Sequence, residues 1–219
     1  MIRAVLFDLD GTLADTAPDL GGALNRVLTA HGRDAIPLHA LRPFTSQGVR
    51  GLLRAGFGIG QDSPDYTSLA DEVLQQYQAH ICDETRLFQG MDQLLDELEA
   101  RGLRWGIVTN KHARFTTPLI DALGLGKRAA CIVSGDTTAR AKPAPDSLLF
   151  AARAIEISAD ACIYVGDDKR DIVAAQSAAM LPVAAQWGYL GVDDPIETWG
   201  ASHILQHPLQ VLDCLGAAG

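Results

Sequence analysis

The chain has 219 residues, enough for one large domain or two small ones, and 47% apolar with 21% charged residues suits a globular protein with a core. A formal charge of −9 argues against nucleic acid or an anionic membrane as partner, though not against a small anion held by a local cation. No apolar run reaches bilayer-spanning length, the N-terminus lacks a secretory pattern, and Cys82, Cys131, Cys162 and Cys214 lack metal-site spacing, so a cytoplasmic protein is expected, with Cys131 and Cys162, inside apolar runs, as plain core residues.

The first apolar run, Ala4 to Phe7, predicts a buried strand that stops at Asp8, Asp10, Gly11 and Thr12. Strand residues two apart share a face, so Asp8 and Asp10 point the same way if the extended geometry persists to Asp10. Two adjacent carboxylates repel, and a divalent cation relieves that repulsion. Next, Leu20, Ala23, Leu24, Val27 and Leu28 recur at helical spacing, with Asp15 or Thr16 as the cap, Pro18 in the first turn and Gly32 at the end. Further helices are expected over Leu38 to Arg42, Ser46 to Ala55 and Asp65 to Ala79. Gly56, Gly58 and Gly60 imitate a dinucleotide fingerprint, but no strand precedes them and a loop is the reading.

Strand–helix alternation resumes after Phe88. Helices are expected over Met91 to Ala100, Phe115 to Leu123, Asp146 to Ile155, from the acidic run to Ala179, and over Pro208 to Leu215. Strands are expected over Leu103 to Val108, Ala130 to Val133, Cys162 to Val165, Pro182 to Ala185 and His203 to Leu205. Such alternation implies a parallel sheet with helices on both faces. Four helices without a strand, placed between strands, form a separate helical insertion.

Polar groups follow the strands. Asp8 and Asp10 follow the first, Thr109 and Asn110 the second, Lys142 the loop after the third, and Asp167, Asp168 and Asp171 the fourth. Parallel strands bring their carboxyl ends to one sheet edge, where such sheets bind ligands. Singly, Thr109 or Asp167 reads as a helix cap and Lys142 as a solvated lysine. Together, and in this order, they read as one site.

That order resembles the haloacid dehalogenase-like hydrolases, mostly magnesium-dependent phosphatases. Asp8-Leu9-Asp10-Gly11-Thr12 is similar to their first motif, Thr109 to the second, Lys142-Pro143 to the third and Gly166-Asp167-Asp168-Lys169-Arg170-Asp171 to the fourth. The resemblance implies a Rossmann-like α/β core over residues 1–15 and 83–219, with an all-helical cap over 16–82. It further implies a phosphomonoesterase resembling the phosphoglycolate phosphatases. Trp105 to Lys111 and Trp187 to Ala201 are also similar to the N-acetylmuramic acid 6-phosphate phosphatases, and a phosphosugar mutase is a third option.

By the same resemblance, Asp8 is the nucleophile and Asp10 the acid and base. Mg²⁺ is held by Asp8, the Asp10 carbonyl and Asp167, with Asp168 or Asp171 in support. Thr109, Asn110 and Lys142 bind phosphate, and Arg50 in the cap meets a substrate carboxylate or is a solvated helix residue. Asp15 caps the first cap helix or fixes the hinge. Lys111, His112 and Arg114 form a basic cluster, read as a solvated helix start. The partner expected is a small phosphorylated metabolite, and the protein a monomer or homodimer.

Overall fold

The computed structural model describes residues 1–191 and 194–216. Its backbone contacts divide it into two compact units, one of Met1–Ala14 with Leu87–Gly219 and one of Asp15–Arg86.

The first unit is built on a six-stranded sheet. Strand β1 (Ala4–Phe7) lies centrally, and every pairing in the sheet is parallel. β4 (Arg104–Val108) and β5 (Ile132–Val133) lie on one side of β1, while β6 (Cys162–Gly166), β7 (Leu181–Ala185) and β8 (His203–Leu205) lie on the other. Renumbered by core strand, this is the doubly wound order 3-2-1-4-5-6. The crossovers reverse direction between β1 and β6, and ligands bind beyond the carboxyl ends at such a reversal. Asp8 and Asp167 follow those two strands.

Burial explains the strand composition. Ala4, Leu6, Val108, Val133, Cys162 and Tyr164 pack on Leu148, Ala151 and Ala152 of α7 (Asp146–Ala154) and on Ala174 and Ala175 of α8 (Lys169–Ser177). Alternate residues Val5, Phe7, Ile107, Ile163 and Val165 are equally buried on the opposite face, as a sheet covered on both sides requires. Helix α5 (Met91–Ala100) buries Met91, Leu94, Leu95 and Leu98, and α6 (Ala113–Ala122) buries Phe115, Leu119 and Ile120. Burial pushes the Cys131 and Cys162 thiols up to about 11, so both are unreactive core groups near neutral pH.

The helix expected over Pro208 to Leu215 forms as 3-10 helix over Pro208–Gly216, with Pro208, Val211 and Cys214 buried. Eclipsed i, i+3 side chains give that narrow apolar stripe. Trp199 and Tyr189 are buried, Trp199 beside Ile172, Ala184 and Ile196.

The second unit holds α1 (Ala17–Ala30), α2 (Leu38–Thr45), α3 (Gly48–Phe57) and α4 (Tyr66–Ala79). Leu20, Leu24, Val27, Leu41, Leu52, Leu53, Val73 and Tyr77 form its buried interior. The chain passes between the units along two short strands that pair, β2 (Ala14–Asp15) and β3 (Arg86–Leu87).

The expected cap of α1 is corrected. Thr16 occupies the cap position without a side-chain cap bond, and the Asp15 carboxylate meets the Arg42 guanidinium through bonds of 3.0 and 2.5 Å. A fork of two donors matches a carboxylate better than one backbone N–H does. The buried Asp19 carboxylate accepts from the Thr85 hydroxyl at 2.6 Å, the Thr85 N–H at 2.8 Å and the Glu84 N–H at 3.0 Å, which fastens residues 84–85 to α1. Among the described residues no helix is long and apolar enough to cross a membrane.

Candidate active site

The site forms within the first unit, at the carboxyl ends of β1, β4 and β6. The Asp8 N–H donates to the Val165 carbonyl at 2.9 Å, which continues the β1–β6 ladder and brings the two acidic loops together. Asp8, Asp167 and Asp171 each place a carboxylate oxygen within 4.8 Å of the other two. Asp171, rather than Asp168, joins this trio.

Lys142 neutralises part of that charge. Its buried ammonium lies 2.8 Å from Asp8 Oδ1, 2.7 Å from Asp171 Oδ1 and 2.7 Å from the Tyr164 hydroxyl. Burial alone lowers a lysine pKa, but Asp171 and Asp8 outweigh it and hold the ammonium charged. Asn110 fixes the Lys142 backbone from both sides. Its amide donates to the Lys142 carbonyl, and its Oδ1 accepts from the Lys142 N–H, both at 3.0 Å.

Asp171 also holds the helix that follows. Its Oδ2 accepts from the Asp168 N–H at 3.1 Å, while Asp168 Oδ1 accepts from the Arg170 N–H at 2.9 Å, so the pair forms a capping box on α8. Asp168 also binds the Arg170 guanidinium at 2.8 Å. Both of its oxygens are thus engaged by Arg170 at the start of α8. Burial opposes its ionisation, but Arg170 outweighs that and lowers its pKa.

Asp167 is held by one group of the first motif and one outside all four. Its Oδ1 accepts from the Thr12 hydroxyl at 2.8 Å and its Oδ2 from the Tyr189 N–H at 2.7 Å. The Trp187 indole N–H donates to the Thr12 carbonyl at 2.9 Å, so the loop after β7 closes on the turn after β1. Both turns need glycine where they meet. Gly11 adopts φ +84°, and a Cβ there would lie 2.7 Å from Asp167 Cγ and 2.8 Å from the Tyr189 ring. A Cβ on Gly188 would lie 2.6 Å from Asp167 Cγ, with Gly11 backbone also in the way.

Gly188→Ala is therefore expected to destabilise the protein by about 1–3 kcal/mol. Gly191→Ala, where nothing lies within 4 Å of an added Cβ, should change little. Urea unfolding of both variants checks this. Equal midpoints would show that the loop after β7 does not press on Asp167.

The acidic trio suits a hard divalent cation. All its donors are carboxylate oxygens, as Mg²⁺ and Ca²⁺ prefer. Burial, then Asp8 and Asp171, push the Asp167 pKa well above the usual carboxylate range, against the Tyr189 N–H and the Thr12 hydroxyl. Burial also pushes Asp171 up to about 6, with Lys142 opposing. Asp8 Oδ1 is buried and accepts no well-aligned hydrogen bond, although Lys142 lies beside it. One lysine leaves this cluster short of positive charge, and a cation would supply it.

Asp10 sits differently. Its carboxylate points at the Lys111 ammonium, 2.7 Å away, and is not in the trio. The Lys111 side chain is 8% exposed, so the solvated reading fails for that residue. His112 and Arg114 of the same cluster are exposed. Thr109 is buried at the end of β4, and its Oγ accepts from the Lys111 N–H at 3.1 Å. Arg50 belongs to the second unit, where it lines a cleft of about 440 Å³ with Gln47, Arg54 and Gly58 to Gln61.

Several contributors escaped the sequence reading. Tyr164 hides in an apolar strand, its hydroxyl donating to the Val108 carbonyl at 2.7 Å. Its spacing of two before Gly166 gave only strand alternation as a signal. Thr12 stood inside the first motif with no assigned role, and Trp187 and Tyr189 stood in a stretch singled out only by its resemblance, with no site role.

The sequence model of the family described as Haloacid dehalogenase-like hydrolase matches residues 5–185. A phosphoglycolate phosphatase of Xanthomonas campestris pv. campestris is 44% identical over 210 residues, covering 95% of this chain and 94% of its own. An N-acetylmuramic acid 6-phosphate phosphatase of Pseudomonas aeruginosa is 38% identical over 217 residues, covering 99% and 96%. Among solved structures, a predicted phosphoglycolate phosphatase of Haemophilus somnus 129Pt has a TM-score of 0.85 at 22% identity and covers 97% of each chain, a likeness of fold.

Proposed function

Since the chain belongs to the haloacid dehalogenase-like hydrolase family and is a phosphoric monoester hydrolase, we propose that it hydrolyses a small phosphomonoester through an aspartyl phosphate on Asp8. The observation that carries this reading is the placement of Asp8 within the acidic trio and 2.8 Å from the Lys142 ammonium. A phosphate monoester needs an in-line nucleophile and positive charge around it, and a carboxylate can serve as that nucleophile.

Asp8 attacks phosphorus as the bond to the leaving oxygen breaks. Asp10 gives that oxygen a proton, then takes one from water as water attacks the aspartyl phosphate. Cleavage of the bond to Asp8 restores its carboxylate and frees inorganic phosphate. Lys142 offsets the growing negative charge. The Thr109 Oγ already accepts from Lys111 N–H, which leaves its O–H to donate to a phosphate oxygen. Asp8, Asp167 and the Asp10 carbonyl would hold Mg²⁺, with Asp171 beside them. The ion would draw charge from the phosphoryl oxygens. Residues 16–82 would act as a helical cap that limits water during attack. Four free cysteines accord with a cytoplasmic place of work, where thiols stay reduced.

For the substrate we favour 2-phosphoglycolate, on the identity to the Xanthomonas enzyme of that name. N-acetylmuramic acid 6-phosphate is the second reading, on the identity to the Pseudomonas enzyme. A release assay with both compounds, with and without Mg²⁺, decides between them. Activity on neither, with metal present, would reject both.

Metal binding has its own signature. The folded pKa values of Asp167 and Asp171 lie above the unfolded carboxylate value of about 4. For Asp171 ionisation thus costs the metal-free protein nothing below about pH 4 and most above about pH 6, and Asp167 adds a cost of the same sign. Mg²⁺ relieves that cost, and protons compete with it below pH 6. At 100-fold excess over its dissociation constant, Mg²⁺ at pH 7.5 should raise the melting temperature by roughly 5–10 °C, and by much less at pH 5. A rise independent of pH would place the ion elsewhere.

A further inference from the structure

We infer that Lys111 is a positioning residue for Asp10: its ammonium fixes the carboxylate that serves as acid and base, an inference that rests on the phosphatase mechanism proposed above. Three observations support it. The Lys111 Nζ lies 2.7 Å from Asp10 Oδ1, and both side chains are largely withdrawn from solvent, at 8% and 18% exposed. A long side chain held this way has already lost its rotamer freedom, so the carboxylate meets a fixed partner.

The Lys111 backbone is also tied down. Its N–H donates to the Thr109 Oγ at 3.1 Å, and its carbonyl accepts from the Gly135 N–H at 2.8 Å and from the Thr116 hydroxyl at 3.0 Å. Gly135 must be bare for this, since a Cβ there would lie 2.7 Å from the Asn110 carbonyl carbon. The turn after β4 therefore serves two sites at once. Asn110 fixes the Lys142 loop, and the next residue reaches across to the turn after β1.

Finally, Asp8 and Asp10 meet different lysines, so the two carboxylates are oriented independently although one residue separates them. Lys142 faces the nucleophile and Lys111 the proton carrier. A proton must pass along the line from Asp10 to the leaving oxygen, and a carboxylate free to rotate spends less time on that line.

The test compares leaving groups. An alkyl phosphate needs a proton on its leaving oxygen, whereas p-nitrophenyl phosphate does not, and kcat/KM reads the steps through the first P–O cleavage. Lys111→Met should lower kcat/KM for the alkyl ester by about 10- to 100-fold, through kcat rather than KM, and for p-nitrophenyl phosphate by much less. Lys111→Arg should restore most of the difference. Adding Lys111→Met to Asp10→Asn should cost nothing further.

Equal losses on both substrates, a rise in KM alone, or additive losses in the double variant would overturn the assignment. So would misfolding of Lys111→Met combined with an Arg variant that keeps a leaving-group-independent defect. Wild-type protein inactive on every ester with Mg²⁺ would instead overturn the phosphatase mechanism itself.

Discussion

Asp8→Asn is expected to abolish turnover, by on the order of 10⁴-fold or more, because the amide cannot form the phosphoryl-enzyme bond. The substitution is nearly isosteric, and a variant with one carboxylate fewer in the acidic trio should fold and unfold normally. Asp8 and Asp171 both face Lys142, so neutralising Asp8 still leaves the ammonium a partner at 2.7 Å. Steady-state phosphate release checks the loss, and acid quenching followed by mass determination checks the intermediate. Wild-type protein should gain one phosphoryl group during turnover and the variant none. Retained turnover in Asp8→Asn would remove the residue from the chemistry.

Lys142→Met should damage both stability and activity. The ammonium is buried, at 5% exposure, among Asp8, Asp171 and the Tyr164 hydroxyl. Removing one partner of a buried ion cluster leaves carboxylates uncompensated, which costs about 3–5 kcal/mol. Activity should fall by at least about 10³-fold, since the charge opposite the phosphoryl group is lost.

The stability loss should depend on pH. In the parent protein the raised Lys142 pKa gives stability that is fully present below about pH 10, hence constant between pH 5 and 7.5. In the variant Asp171 loses the charge that restrains its already raised pKa, so it binds a proton more readily. The penalty should therefore be largest at pH 7.5 and shrink toward pH 5. Urea unfolding at the two values reads this directly. A loss independent of pH would mean that packing, not charge, dominates.

Much of the core was legible because strand ends are marked locally. Apolar runs stop at Asp8, Thr109 and Asp167, and parallel strands must align such stops at one edge. Helix periodicity likewise identified α1, α3, α4 and α5, since each buries one face. The helix over Pro208–Gly216 was legible as a helix but not as 3-10, because 3-10 and α-helix share i, i+3 contacts.

The site's supporting contacts were not legible. Lys111 sat in a polar cluster of which His112 and Arg114 are exposed, and nothing local separates the one lysine that turns inward. Asp15 looked like a cap because acids precede helices, yet an arginine 27 positions away offers two donors. Tyr189 lies 22 residues from Asp167 and bonds it through a backbone N–H, which any residue would provide.

Residue type and order along the chain were thus enough to name the acids, the hydroxyl and the lysine that a phosphoryl-transfer site uses, because each lies at the end of a strand or in the loop that follows one. Which charges meet was settled only on folding. Pairing of Lys142 with Asp8 and Asp171, of Lys111 with Asp10, and of Thr12 with Asp167 spans from 29 to 155 positions in the chain. Such contacts depend on strand order and on the depth of each group, and no local pattern carries either.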